Sequence, residues 1–280
     1  MTTQFLKLQD GSIAYDDQGS GPLVICVPSL GDLRGEYRFL APRLAAAGYR
    51  VISMDVRGHG ETSPNWPDYS VGAIGSDMLA LIRSLDSGPA ALIGTSMAAG
   101  AAIWAAAEAP ELVSGLVLID AFYRGSSKWQ EKLLFSTLFS RPWGPAMWLK
   151  YYQTLYPTRP PQDFGAYCQS LKANLTQSGR MEALKEMLFA SKEASEQRLA
   201  SVKAPALVLM GSKDRDFKDP EGEAKLLAGS LRAPYTMIQD AGHYPHAEMP
   251  EVTASLVISF LERLNVPQAS SIEKEVMYAS

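Results

Sequence analysis

Short apolar runs alternate with amphipathic helical stretches along most of this chain, and one long block interrupts the alternation. Leu23–Val27, Val51–Asp55, Ala90–Ile93 and Leu116–Ile119 read as strands with little polar alternation, the pattern of strands covered on both faces. Glu36–Ala47, ending at Gly48, and then Val71–Leu85 and Met97–Ala109 carry helical periodicity between them. Strictly alternating units of this kind close into a parallel sheet with helices on both faces. At the N-terminal end, Phe5–Leu8 and Ser12–Tyr15 flank Asp10-Gly11 and read as an antiparallel hairpin turning through positive φ.

From residue 122 to 202 the strand signal stops, and helical segments follow one another, broken at Pro142, at Pro157 to Pro161 and at Gly179. Alternation then resumes with a strand at Ala206–Met210, a helix at Glu221–Leu231, a strand at Tyr235–Ile238 and a helix at Glu251–Leu264. The expected organisation is therefore a core made of residues 1–121 and 203–265, split by a helical cap at 122–202. Residues 266–280 mix Pro, Ser and charge with little apolar periodicity, as expected of a mobile tail.

With 280 residues, 46% of them hydrophobic, the chain can bury a sizeable core. A net charge of −4 gives no basic excess to attract phosphate backbones or anionic lipid, so neither nucleic acid nor a membrane surface is an expected partner. The N-terminus lacks the basic-then-apolar order of a signal peptide, which makes a cytoplasmic location the default expectation. Cys26 and Cys168 are too few and too far apart for a disulfide framework and are expected to be free thiols. Neither a dinucleotide-binding glycine loop nor a phosphate-binding loop occurs. His243 and His246 form the one metal-like pair, without the cysteines or carboxylate cluster a metal site calls for, so no metal or cofactor is expected.

Chemistry enters at Gly94-Thr95-Ser96-Met97-Ala98, where an apolar strand runs directly into an alanine-rich helix. A serine hydroxyl is a weak nucleophile until a sharp turn lifts it clear of the backbone beside a base, and a strand–turn–helix flanked by small residues makes such an elbow. Ala98 stands at the fifth position, where glycine is usual.

Several separate stretches then make the chain resemble the α/β-hydrolase family over almost its whole length up to about residue 265. Val27-Pro28-Ser29-Leu30-Gly31 falls where the family has its oxyanion loop, Asp55 to Ser63 matches a family turn signature, and Gly211-Ser-Lys-Asp214 and Ala241-Gly242-His243 follow the two late strands. The resemblance implies a three-layer α/β/α sandwich with a mostly parallel, eight-stranded sheet and an inserted helical cap. It also implies a triad in the chain order Ser96, Asp214, His243.

Ser96 needs a base titrating near neutrality, and the chain offers three histidines, His59, His243 and His246. His243 follows a strand in a glycine-containing loop and is the expected base, while His246 is read as packing the same loop and His59 as structural or part of a pocket wall. The base needs a carboxylate to fix its tautomer. Asp214 leads, with Asp216 two residues on and Asp120 at the end of an earlier strand as rivals. Backbone N–H groups of Leu30 and Met97 are the expected oxyanion donors. Relatives commonly carry His-Gly where this chain has Pro28-Ser29, which raises the question of whether Ser29 can take a conformation suited to glycine or instead turns its hydroxyl into the site.

Aromatic residues crowd the first third of the cap, and of these Trp129, Phe139, Trp143 and Trp148 are taken with Ser29 as candidate substrate contacts. The expected reaction is hydrolysis of a small, largely apolar ester through an acyl-enzyme. Alternatives are C–C bond hydrolysis of a β-diketone type substrate, another acyl transfer to water (thioester, lactone, amide or perhydrolysis), and a slow or non-catalytic ligand receptor on the same fold. Apolar cap surface would serve a monomer or a homodimer.

Overall fold

The computed structural model describes residues 2–125, 135–140 and 142–265. Eight strands form one sheet: β1 (Gln4–Lys7), β2 (Ser12–Gln18), β3 (Leu23–Val27), β4 (Arg50–Met54), β5 (Ala90–Thr95), β6 (Val113–Ile119), β7 (Ala206–Gly211) and β8 (Tyr235–Ile238). Their spatial order is β1-β2-β4-β3-β5-β6-β7-β8, with β1 and β2 antiparallel to their neighbours and every pairing from β4 through β8 parallel. The helices that follow β3, β4 and β5 are α1 (Leu40–Ala46), α2 (Val71–Leu85) and α3 (Met97–Glu108). Between β6 and β7 lie α4 (Gly144–Gln153), α5 (Phe164–Leu175), α6 (Arg180–Phe189) and the short α7 (Glu193–Glu196). The chain then continues through α8 (Pro220–Leu231), α9 (Pro245–Glu248) and α10 (Pro250–Asn265).

Alternate residues of the central strands feed two separate cores, which is why these strands show no polar face. Leu23, Ile25 and Val27 of β3, Leu92 of β5 and Leu116 and Leu118 of β6 pack on the side of α2, α3 and α8. Val24 and Cys26, Ala91 and Ile93, and Val117 and Ile119 pack on the opposite side with Leu40, Leu44, Val257 and Leu261 of α1 and α10. Cys26 and Cys168 are both buried free thiols. Among the described residues no helix is long and apolar enough to cross a membrane.

Two local expectations are corrected. The helix expected over Glu36–Ala47 is instead a 3-10 turn at Arg34–Tyr37 followed by the shorter α1. Tertiary bonds break it: the Glu36 carboxylate turns inward to accept the Ser29 N–H at 2.7 Å, and the Tyr37 hydroxyl donates to the Val27 carbonyl at 3.0 Å. The β1–β2 turn takes no positive φ at Asp10 or Gly11. Gly11 is required sterically, since a Cβ there would stand 2.8 Å from the Trp66 ring and 2.9 Å from the Ser63 Cβ. Trp129 and the expected tail at 266–280 lie outside the described residues.

Candidate active site

β5 delivers Ser96 to the turn before α3 with φ 58 and ψ −123, a conformation that non-glycine residues seldom adopt. Holding a residue there costs roughly 1–3 kcal/mol and persists only when the surroundings fix it. Here the Ser96 N–H donates to the Ile119 carbonyl at 2.9 Å, while the Ser96 carbonyl accepts from Phe122 N–H at 3.0 Å and Ala99 N–H at 3.1 Å. Small neighbours make the approach possible: a Cβ at Gly94 would lie 2.6 Å from the Ala98 carbonyl oxygen, and one at Gly100 2.6 Å from that of Phe122. Ala98 is itself buried in this junction, so its methyl is accommodated.

The loops after β7 and β8 bring acid and imidazole together. His243 Nδ1 lies 2.6 Å from Asp214 Oδ2, and the other carboxylate oxygen of Asp214 accepts the Asp216 N–H at 3.0 Å. The His243 N–H donates to the Leu155 carbonyl of the segment after α4 at 3.1 Å, which fixes the loop against the cap. Burial raises the Asp214 carboxyl, but attraction to the imidazole and the hydrogen bonds it accepts hold it below its ordinary value. Burial also disfavours the charged His243 ring, yet the Asp214 carboxylate in contact with Nδ1 outweighs this and raises the ring above its ordinary value.

The two rival acids have other partners. Asp216 takes a hydrogen bond from the Tyr151 hydroxyl, and burial raises its carboxyl despite the pull of His243 and of that phenol. Asp120 is fully buried and accepts the Gly211 N–H at 2.9 Å through Oδ1. One ligand atom each from Asp120, Asp214 and His243 lie within 4.8 Å of one another. The 2.6 Å hydrogen bond between His243 and Asp214 leaves no room for an ion between them.

Ser96 and His243 open onto one cavity of about 480 Å³. Its core side is formed by Ser29, Leu30, Met97, Phe122 and Tyr244, and its cap side by Phe135, Leu138, Phe139, Trp148, Tyr151, Leu155 and Leu188, with Arg124, Lys192 and Asp216 adding charge. Asp214 occupies Nδ1, so Nε2 is the ring nitrogen left for chemistry in that space. Leu30 and Met97, the expected oxyanion donors, both reach the cavity. The loop after β3 has its positive φ at Gly31 (74), where a Cβ would meet the Trp148 ring at 2.5 Å, and not at Ser29. Pro28-Ser29 therefore strains nothing in this loop. The Ser29 hydroxyl is 2.8 Å from that of Tyr244, the residue after His243, so it joins the loop after β3 to the loop that carries His243.

Phe139 and Trp148 line the cavity as expected, but Trp143 does not. It is 52% exposed, its indole N–H donating to the Thr137 carbonyl at 3.2 Å. Five residues separate Trp143 from Trp148, and at about 100° per residue such positions point some 140° apart on a helix, so both cannot face the same side. His59 is buried, its Nδ1 2.9 Å from the Arg57 carbonyl, and burial pushes it down to about 4. His246 is buried too, stacked on Tyr37 with Nε2 3.1 Å from Glu36 Oε1 but out of line for a hydrogen bond. Neither ring lines the cavity. Sequence reasoning passed over Tyr244 and Phe122. Phe122 stacks on Phe217 at 4.6 Å and meets the His243 ring edge-on at 5.9 Å. Adjacency to His243 and to the end of β6 was the signal available for them.

Comparison with known proteins agrees with this architecture. A Mycobacterium tuberculosis protein that carries a non-heme bromoperoxidase name, BpoC, is 39% identical over 109 residues, 39% of this chain and 41% of its own length. The match thus spans about two fifths of that relative. The 2-hydroxy-6-oxo-6-phenylhexa-2,4-dienoate hydrolase of Comamonas testosteroni is 28% identical over 94% of this chain and 97% of its own. Among solved structures, a thermophilic esterase from Thermogutta terrifontis superposes with a TM-score of 0.80 at 23% identity, covering 93% of this chain and 99% of that one, a likeness of fold. The sequence profile of the alpha/beta hydrolase fold matches residues 22–250. With the sheet order and the elbow already in place, the chain belongs to the α/β-hydrolase fold family.

Proposed function

We propose that the protein is a serine hydrolase that cleaves a small, largely apolar ester through an acyl-enzyme. The observation that carries this reading is the opening of an elbow serine and an aspartate-bound imidazole onto one cavity walled mostly by apolar side chains. In the reaction His243 Nε2 takes the Ser96 proton as Oγ attacks the ester carbonyl, and Asp214 stabilises the imidazolium. The tetrahedral oxygen is held by the N–H groups of Leu30 and Met97, the latter at the start of α3 where the helix dipole adds to it. His243 then returns the proton to the departing alcohol, and water repeats the sequence on the acyl-enzyme.

A fluorophosphonate probe should label the folded protein at Ser96, and neither Ser96→Ala nor heat-denatured protein should be labelled. Turnover of nitrophenyl esters of increasing acyl length should then peak at a chain that fills the cavity. An unlabelled folded wild type would overturn the catalytic reading, and labelling with negligible turnover would point to a ligand receptor. The near full-length similarity to the Comamonas testosteroni hydrolase favours one second reading, cleavage of a C–C bond beside a carbonyl by the same residues. Release of a carboxylic acid from a β-diketone type substrate, absent with Ser96→Ala, would establish it.

A further inference from the structure

Three carboxyl groups surround His243: Asp214 in hydrogen-bond contact, Asp216 two residues on, and Asp120 at the end of β6. Asp120 has the least solvent of the three, being fully buried, with a backbone φ of 44 that fixes where its side chain starts. Its Oδ1 is used by the Gly211 N–H, whereas Oδ2 is buried without a donor among the described residues. One carboxylate oxygen of Asp120 lies within 4.8 Å of a ligand atom of Asp214 and of one of His243. Two buried carboxylates at this separation, sharing one imidazole, cannot both stay ionised without strong repulsion, so one holds a proton. His243 and the Asp216 N–H both favour the charged form of Asp214, which leaves Asp120 as the proton's place.

We infer that Asp120 is a neutral positioning residue that carries a proton on Oδ2 and donates it as a hydrogen bond to the Asp214 carboxylate. Burial first, and the Asp214 charge second, push the Asp120 carboxyl far above its ordinary value, in line with this geometry. The arrangement has a consequence for the base. With Asp120 ionised as well, His243 would face another negative charge and be held more firmly as imidazolium, unable to take the Ser96 proton. A proton kept on Asp120 restricts the negative charge facing the ring to Asp214 and Asp216, and Asp216 is itself drawn toward its neutral form by burial. Arg215 is the neighbouring cation on the same loop, and Tyr151 is the cap group against Asp216.

The inference rests on the proposed triad, and its test separates the two. Asp120→Asn keeps an acceptor for Gly211 N–H and a neutral donor for Asp214, so kcat should stay within about threefold and the acid limb of kcat/KM should not move. Asp120→Ala removes the donor, and losing a hydrogen bond to a charged group should lower kcat about 10- to 100-fold. If Asp120 were ionised, Asp120→Asn would delete a negative charge beside the ring and shift the acid limb to lower pH by about one unit or more, overturning the inference. Neutron diffraction of the wild type is independent of any variant's folding: nuclear density for a deuteron on Asp120 Oδ2 supports the assignment, and its absence overturns it. Failure of the triad reading would show elsewhere, as loss of Ser96-dependent turnover in the wild type itself.

Discussion

Asp214 and Asp32 are both buried carboxylates, and they are stabilised in opposite ways. Asp214 is paired with an ionisable ring, His243, and accepts a backbone N–H. Asp32, in the loop after β3, is equally buried, but its donors are neutral: the hydroxyl of Tyr152 from α4 at 2.8 Å, that of Tyr167 from α5, and the Leu33 N–H at 2.7 Å. The first arrangement holds a negative charge ready to meet a positive one as it forms. The second ties two of the helices between β6 and β7 to the loop after β3. Burial, with the Glu36 charge beside it, raises Asp32 to about 8, whereas Asp214 is held down. The same side chain is therefore held charged where its partner can become charged and driven toward its neutral form where its partners cannot.

The largest effect should come from breaking the first of these centres. Asp214→Asn removes the charge that stabilises the imidazolium and can present an amide N–H to Nδ1, favouring the wrong tautomer, and by analogy with other serine triads kcat should fall about 10³- to 10⁴-fold with little change in KM. Asp216→Asn, which disturbs the Tyr151 contact and removes a carboxyl that faces His243 without bonding it, should cost less than about tenfold. Steady-state kinetics on a nitrophenyl ester decide it, and equal losses in the two variants would remove the distinction between the acids. Asp32→Ala should act on stability instead. It strips a partner from two buried phenols, each of which keeps another, Tyr156 for Tyr152 at 3.0 Å and the Leu33 carbonyl for Tyr167 at 3.3 Å. A loss of about 2–4 kcal/mol in urea unfolding is expected, with kcat of the folded fraction far less affected than in Asp214→Asn.

The two centres were not equally legible in the sequence. The strand–turn–helix at Ser96, the late Gly211-to-Asp214 stretch and the Gly242-His243 loop are local patterns, so the turn at Ser96 and the placing of Asp214 and His243 after late strands could be expected from neighbouring residues alone. By local pattern Glu36 is the start of a helix, and nothing in the residues around Asp32 marks it as buried. What draws them inside are partners 7 to 135 residues away, Ser29 and Tyr167 among them, which no local periodicity encodes. The helix shortened around Glu36 has the same origin, and so does Trp143, whose direction depends on the phase of a helix packed elsewhere. Strand positions fared better because their apolar runs report burial on both faces directly.

Acid–base titration of stability should sharpen the contrast next. The native state raises the Asp32 carboxyl to about 8, so it binds more protons than the unfolded chain between about pH 4 and 8. The Asp32 contribution is fully present below about pH 4 and is lost as pH rises through about 8. For Asp214 the sign reverses: its folded value is depressed, so its contribution is present above about pH 4 and lost as pH falls through the lower folded value. In Asp32→Asn the fall in unfolding free energy from pH 5 to 8 should flatten, and in Asp214→Asn the acid-side loss should shrink. An unchanged alkaline slope in Asp32→Asn would mean that its charge is accommodated as readily as in water.

The smallest expected effect concerns the link between the two centres. Ser29 lies in the loop that carries Asp32, and its hydroxyl meets that of Tyr244, next to His243, at 2.8 Å. Its backbone N–H is independently tied to Glu36, and the positive φ of the loop falls on Gly31, so the main chain does not depend on the side-chain hydroxyl. Ser29→Ala should therefore leave the Leu30 N–H in place and lower kcat less than about threefold. The Tyr244 hydroxyl loses one buried partner, which should cost about 1 kcal/mol in unfolding. A drop in kcat of tenfold or more at unchanged stability would give the hydroxyl pair a role toward substrate, and the oxyanion loop would then belong to the chemistry through its side chain as well as its backbone.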